Sequence, residues 1–226
     1  MANLKDSGIL EGNNQNIIAI LFLVIIFLYP VRLYCSEELK SGDLIFQVEG
    51  KGDFSKAIAD ATGAGDSLKM VHLGIIEITE SGEIDIIEAS PHKGVCITPY
   101  KEFINSSEQI NGEPGVIVKR LAIEFPIVNV ITKAKEFIGE PYDWWYLPDN
   151  GKMYCSELVY ESYYDKSGNR IFKSSPMNFR ALDGSMPQFW IDLFSKLNME
   201  VPEGVEGTNP QDIFKDPRLI EVLRLF

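Results

Sequence analysis

The chain has 226 residues, enough for one full-sized domain with a buried core. Its 21 Lys and Arg stand against 33 Asp and Glu, a formal net charge of -12 that argues against nucleic-acid binding, because that depends on neutralising phosphates. Three cysteines make no disulfide framework, and two histidines among scattered carboxylates give no zinc-like ligand cluster, so no cofactor and no metal are expected.

In chain order, the first feature is the unbroken apolar run from Ile17 to Tyr29, 13 residues long. A transmembrane helix needs about 20 residues, and a signal-peptide core about 7–15. The run fits the second class, although Asp6 and Glu11 offset Lys5 and no small-residue cleavage site follows Tyr29. A membrane anchor continuing through Val31 and Leu33, with Arg32 snorkelling, is one alternative; a core helix of the domain is another, for which residues 1–16 and 30–40 offer little to pack around the run. Cys35 raises a lipoprotein reading, to which Arg32-Leu33-Tyr34 is a poor match. The expectation is a signal peptide or membrane anchor over residues 1–35 and a folded, extracytoplasmic domain over residues 36–226.

Asp43 to Val48 reads as a strand after the Ser41-Gly42 turn. Phe54, Ala57, Ile58 and Ala61 are helically spaced, with Gly63 and Gly65 as the stop. The β-branched run Val71–Ile78 is a strand, turned by Ser81-Gly82 into Ile84–Ala89 as a hairpin partner. Gly94–Thr98 and Gly115–Leu121 are further strands. The period then changes: Ile127, Val130, Ile131, Ala134, Phe137 and Ile138 mark a helix stopped by Gly139 and Pro141. After the aromatic loop Tyr142-Asp143-Trp144-Trp145-Tyr146, Asn150-Gly151 signals a turn, and Leu158, Val159 and Tyr163 mark a helix that opens at Cys155. Phe189, Trp190, Leu193, Phe194 and Leu197 mark another, and a Pro- and Gly-rich tail leads to Leu219–Phe226. Strands early and helices late imply an α+β fold, an antiparallel sheet with helices packed on one side.

Three residues in this pattern carry chemistry. Cys155 in the first turn of a helix feels the positive end of the helix dipole, which favours a thiolate nucleophile. A free cysteine is otherwise often a small buried apolar residue, the reading that suits Cys96 in mid-strand between Val95 and Ile97. His72 points to the strand face opposite Val71, Leu73 and Ile75, with Gly74 leaving space on its own side. A half-buried strand histidine bonded to a carbonyl carries equal weight with a catalytic base at this point. His92 lies in a turn and reads as solvated. Glu88 shares its face with Ile84 and Ile86, where an unpaired carboxylate would be costly, so it is expected to have a partner and could orient the imidazole. Tyr142 and Asp143 are placed near the site, with the tryptophans packing under the loop.

These residues resemble a family. Ser41-Gly42-Asp43-Leu44-Ile45-Phe46, His72-Leu73-Gly74-Ile75, Ile87-Glu88-Ala89, Gly139 to Asp143, Tyr154-Cys155-Ser156-Glu157-Leu158-Val159-Tyr160, and a tail from Val201-Pro202-Glu203-Gly204 to Gly207-Thr208-Asn209-Pro210 stand in the order of the YiiX-like branch of permuted papain-fold cysteine hydrolases, related to NlpC-type cell-wall peptidases. The likeness runs from residue 41 to about 218. It implies a circularly permuted papain-like core in which the histidine strand precedes the cysteine helix. It further implies Cys155 as nucleophile, His72 as base and Glu88 as the orienting third group, with Tyr154 preceding the nucleophile as in many relatives. Tyr154, together with Tyr142 and Asp143 of the aromatic loop, is the expected substrate contact. The expected activity is hydrolysis of an amide through an acyl-enzyme, most plainly in a cell-wall or related peptide. Lecithin retinol acyltransferase relatives, which move acyl chains, keep a lipid-directed reaction open, and a non-catalytic peptide-binding module is the remaining alternative. The expected partners are a peptide or lipid-like small substrate and, through the N-terminal apolar segment, a membrane.

Overall fold

The computed structural model describes residues 38–63, 65 and 68–226. The apolar run Ile17–Tyr29 and Cys35 therefore lie outside the described residues. No helix among the described residues is long and apolar enough to cross a membrane. Residues Glu37–Phe226 group as one unit.

β-Branched runs become the strands of a six-stranded antiparallel sheet. In chain order these are β1 (Leu44–Val48), β2 (Met70–Ile78), β3 (Ile84–Ser90), β4 (Gly94–Pro99), β5 (Val116–Leu121) and β6 (Leu219–Arg224), and their spatial order is β6-β5-β1-β2-β3-β4. The β2–β3 hairpin pairs Ile75 with Ile87 and Ile76 with Ile86, the register that alternation of apolar residues demands. Gly74 is required here: a Cβ would run into the Ile86 side chain and approach Glu88 Cβ to 3.4 Å. The space that this glycine leaves is thus filled from β3.

The helices are α1 (Asp53–Thr62), α2 (Tyr100–Asn105), α3 (Ile127–Glu136), α4 (Cys155–Ser162), α5 (Gln188–Lys196) and α6 (Pro210–Phe214). Helix α4 lies against β2, β3 and α3, with α6 beside it. The main core holds Leu44, Phe46, Leu73, Ile75 and Ile87 from the sheet together with Leu158, Val159, Trp190 and Phe194 from the helices. Short α2 covers β3 and β4 and sends Phe103 into a smaller core with Ile45, Ile76, Ile86, Val116 and Val118. Burying side chains of this size contributes about 1.5–3 kcal/mol each.

The C-terminal tail holds more structure than its Pro- and Gly-rich composition announced. Strand β6 is an edge strand on β5, Leu219 opposite Leu121. Asn209 caps α6 by accepting the Asp212 N–H, with Pro210 at the first helical position, where it suits a helix start.

Candidate active site

The cysteine helix begins at Cys155 because Tyr154 before it is extended, at φ -97° and ψ 167°, and because Glu157 at the third helical position turns back to accept the Tyr154 N–H at 3.3 Å. Cys155 is only 4% exposed. The Tyr154 hydroxyl accepts the Thr208 N–H at 3.0 Å, tying the tail to the residue before the nucleophile. Gly207 is needed for that approach, since a Cβ there would sit 2.8 Å from the Tyr154 hydroxyl and 2.5 Å from Met177 Sδ.

His72 stands opposite. Its Nε2 bonds Glu88 Oε2 at 2.6 Å, and the Cys155 side chain lies close enough to the imidazole to act on its titration. With Nε2 engaged, Nδ1 is the nitrogen left for the sulfur. Burial by itself would push the His72 pKa down, but the hydrogen bonds and charges of Cys155 and Glu88 outweigh it and raise it to about 10. Phe103 stacks on the ring, centroids 5.7 Å apart and planes 27° from parallel, a placement that suits a cationic imidazolium.

Glu88 is held from both oxygens. Oε2 meets His72, and Oε1 accepts the Thr98 hydroxyl at 2.6 Å. Burial favours its neutral form; the His72 and Thr98 hydrogen bonds, with Lys93 further out, prevail and lower its pKa. Thr98 and Phe103 are the supporting residues that motif reading missed. The strand pairing holds a signal for the first: Glu88 lies opposite Cys96 on β4, so Thr98 is the diagonal neighbour on the same face.

The structure thus brings Cys155, His72 and Glu88 together. The other expected residues divide. Tyr142 is buried and stands between two cavities, and Tyr154 lines one of them. Asp143 does not face substrate space: it is 0% exposed, and its carboxylate accepts the Trp145 and Leu147 N–H groups at 2.9 Å each. That corrects its assignment as a substrate contact, because a short acidic side chain in a tight loop bonds the backbone just ahead of it more readily than it reaches into a cleft. Cys96 is half-buried rather than buried; desolvation nonetheless raises its pKa. His92 is exposed, on the rim of the larger cavity.

The two cavities meet at the reaction centre. A groove of ≈410 Å³ opens on the His72 side and carries Glu88, His92, Lys93, Glu102 and Glu108. A slot of ≈50 Å³ opens on the Cys155 side between Ile58, Met177, Phe179 and Trp190. Ile58 and Tyr142 belong to both. Among the described residues no group of three or more His, Cys, Asp and Glu is placed to hold a metal ion.

Known proteins resemble this chain in sequence and fold. A family model described as the permuted papain-like amidase enzymes, YaeF/YiiX, C92 family, matches residues 38–223. The chain is 28% identical over 190 residues to the uncharacterized protein YiiX of Escherichia coli (strain K12), covering 82% of this chain and 86% of that one. A crystal structure described as the metalloprotein yiiX from Escherichia coli O157:H7 superposes with a TM-score of 0.66 at 25% identity, over 82% of this chain and 97% of the other. The chain belongs to the permuted papain-like amidase family, a family of cysteine-peptidase-type hydrolases, and its α+β fold is the permuted papain-like one.

Proposed function

We propose that this permuted papain-like amidase uses Cys155 as nucleophile, His72 as acid and base and Glu88 as the group that orients the imidazole. The observation that carries this reading is the 2.6 Å His72–Glu88 bond in a ring that also engages the Cys155 sulfur. An imidazolium on His72 is the counter-ion that a Cys155 thiolate needs.

The thiolate adds to the carbonyl carbon of an amide, forming the S–C bond and placing charge on the carbonyl oxygen. A helix N-terminus turns N–H groups without intrahelical partners toward that position, the Cys155 N–H among them. The tetrahedral species collapses as the C–N bond breaks, and the His72 proton passes to the departing amine. Water then gives a proton to neutral His72 and adds to the acyl carbon. Collapse releases the acid, restores the thiolate and leaves the imidazolium. Sγ borders the slot and His72 borders the groove. This supports seating the acyl part in the slot and the amine in the groove.

The amide we favour is one in a cell-wall or related peptide, reached after export or from a membrane tether through residues 1–35. The apolar walls of the slot also favour a second reading, transfer or hydrolysis of a lipid acyl group at the same residues. Incubation with muropeptides and, separately, with phospholipid vesicles separates the two: a new free amine from muropeptide supports the first, and fatty-acid release alone rejects it. Fractionation of producing cells with and without residues 1–35 tests the location, and an unchanged cytosolic distribution rejects export. The Escherichia coli relative is described as a metalloprotein; among the described residues of this chain no group of three or more His, Cys, Asp and Glu is placed to hold a metal ion, and the proposed steps use protein groups and water.

A further inference from the structure

The strand that carries His72 is irregular immediately before it. Between β1 and β2, Gln47 lies opposite His72 and Val48 lies opposite Met70, so Val71 has no opposite number. Such a bulge re-aims the side chains beside it and disrupts the ladder locally. Its effect shows in the packing: Met70, Val71, Leu73 and Ile75 all enter the main core, so the alternation of faces breaks just before His72. At this point a distant residue holds the strand. The Met70 N–H donates to Gln211 Oε1 at 2.6 Å, and Gln211 Nε2 donates to the Leu68 carbonyl at 3.3 Å. Three residues before Gln211, the Thr208 N–H donates to the Tyr154 hydroxyl at 3.0 Å, directly ahead of Cys155. Met70, Tyr154, Thr208 and Gln211 are all buried. Between the two anchors Asn209 caps α6 and Pro210 opens it, which stiffens a segment that can span no more than about 11 Å.

We propose that the tail segment Thr208–Gln211 is a brace that sets the separation of imidazole and thiol, with Gln211 and Tyr154 as the positioning residues at its two ends. The inference rests on the pairing of His72 with Cys155 and deepens it by naming what holds the two together. The sheet alone does not fix His72 at the bulge, and the helix alone does not fix Cys155 relative to the sheet; one short stretch of chain bonds both. A misplacement of about 1 Å between reacting groups can cost about 10²-fold in rate, so a brace at this position acts on the chemistry and not only on stability. Neither Gln211 nor the Tyr154 hydroxyl is among the groups that act on His72 titration, whereas Cys155 is. Uncharged replacements at either end therefore reach the imidazole only by changing its distance from the sulfur.

The test needs no substrate. The full chain has only two histidines, so histidine-labelled protein gives two imidazole signals by NMR, and His92→Asn assigns them. The His72 titration midpoint is measured in the unaltered protein, in Cys155→Ala, in Gln211→Met and in Tyr154→Phe, with thermal melting to show that each is folded at the temperature used. Burial lowers this midpoint and Cys155 and Glu88 raise it, to about 10 in the unaltered protein. The expected result is a fall in Cys155→Ala, and a fall of about half a pH unit or more in both Gln211→Met and Tyr154→Phe. A purely structural role would lower the melting temperature and leave the midpoint in place. A smaller fall in either folded variant, with the Cys155→Ala fall present, overturns the brace and leaves the His72–Cys155 pairing intact. No fall in Cys155→Ala rejects the pairing itself and the inference with it. Should Gln211→Met fail to fold, Tyr154→Phe alone decides by the same measure.

Discussion

Glu88 and Glu157 flank the same reaction centre and are equally buried, at 7% exposure each, yet their environments drive them apart. Glu88, at the sheet end, has an imidazole, a hydroxyl and a lysine to hold its charge, and its pKa is lowered. Glu157, in the cysteine helix, loses hydration with one backbone N–H as compensation and faces Asp143, Glu161 and Asp149, so its pKa rises to about 8. The lesson is that partners, not burial, decide which carboxylate can serve an imidazolium. The partners of Glu88 favour its anion; the surroundings of Glu157, which caps a helix, favour its neutral acid.

The largest effect separates the nucleophile from both. Cys155→Ala should reduce amide turnover to background, a loss of about 10⁴-fold or more, as measured by amine release. Glu88→Gln comes next, with about a 10²-fold loss in kcat/KM or more. It should also move the alkaline limb of the pH profile. In the unaltered protein amide cleavage should fall as pH rises through about 10, where His72 loses the proton owed to the leaving amine. Without Glu88 one of the groups that raise His72 is gone, so the limb should shift toward neutral pH. An unmoved limb would break the proposed division of labour between the two carboxylates.

Thr98→Val removes the 2.6 Å hydrogen bond to Glu88 Oε1 and should cost about tenfold in kcat/KM, with a smaller shift of the same limb. Phe103→Leu, which takes the stacked ring from His72, should cost a few-fold. Glu157→Gln should have the smallest kinetic effect, below about twofold, but a distinct stability signature. A carboxyl whose folded pKa is raised from 4.5 to about 8 contributes stability at acid pH that is lost as pH climbs through that window. The variant, always neutral, should therefore melt close to the unaltered protein at pH 4 and above it at pH 9. His72 has its own stability window: its raised pKa contributes fully below about 6.5 and the contribution is lost as pH rises toward 10.

The fold and the reaction centre were legible to different depths. Strands β1 to β5 and helices α1, α3, α4 and α5 announced themselves through apolar periodicity, because each buries one face in a shared core. Strand β6 did not, since the Pro- and Gly-rich segment before it hid a six-residue strand whose pairing with β5 only tertiary contact creates. At the reaction centre, Glu88 was readable because a carboxylate on an apolar strand face demands a partner. Asp143 was misplaced because sequence spacing does not tell a carboxylate that faces a cleft from one that turns back to its own loop. Thr98 was passed over because strand threonines are common and its meaning depends on register.

One measurement addresses the central claim directly, and the chain supplies its own control in Cys96, a half-buried thiol whose pKa is raised by burial and which has no imidazole partner. The protein is treated at neutral pH with an activated acyl donor, and the adduct is located by peptide mass. The expected result is one acyl group on Cys155, absent in His72→Ala, with Cys96 unmodified. Acylation of Cys96 at an equal or faster rate, or acylation of Cys155 undiminished without the imidazole, would contradict it.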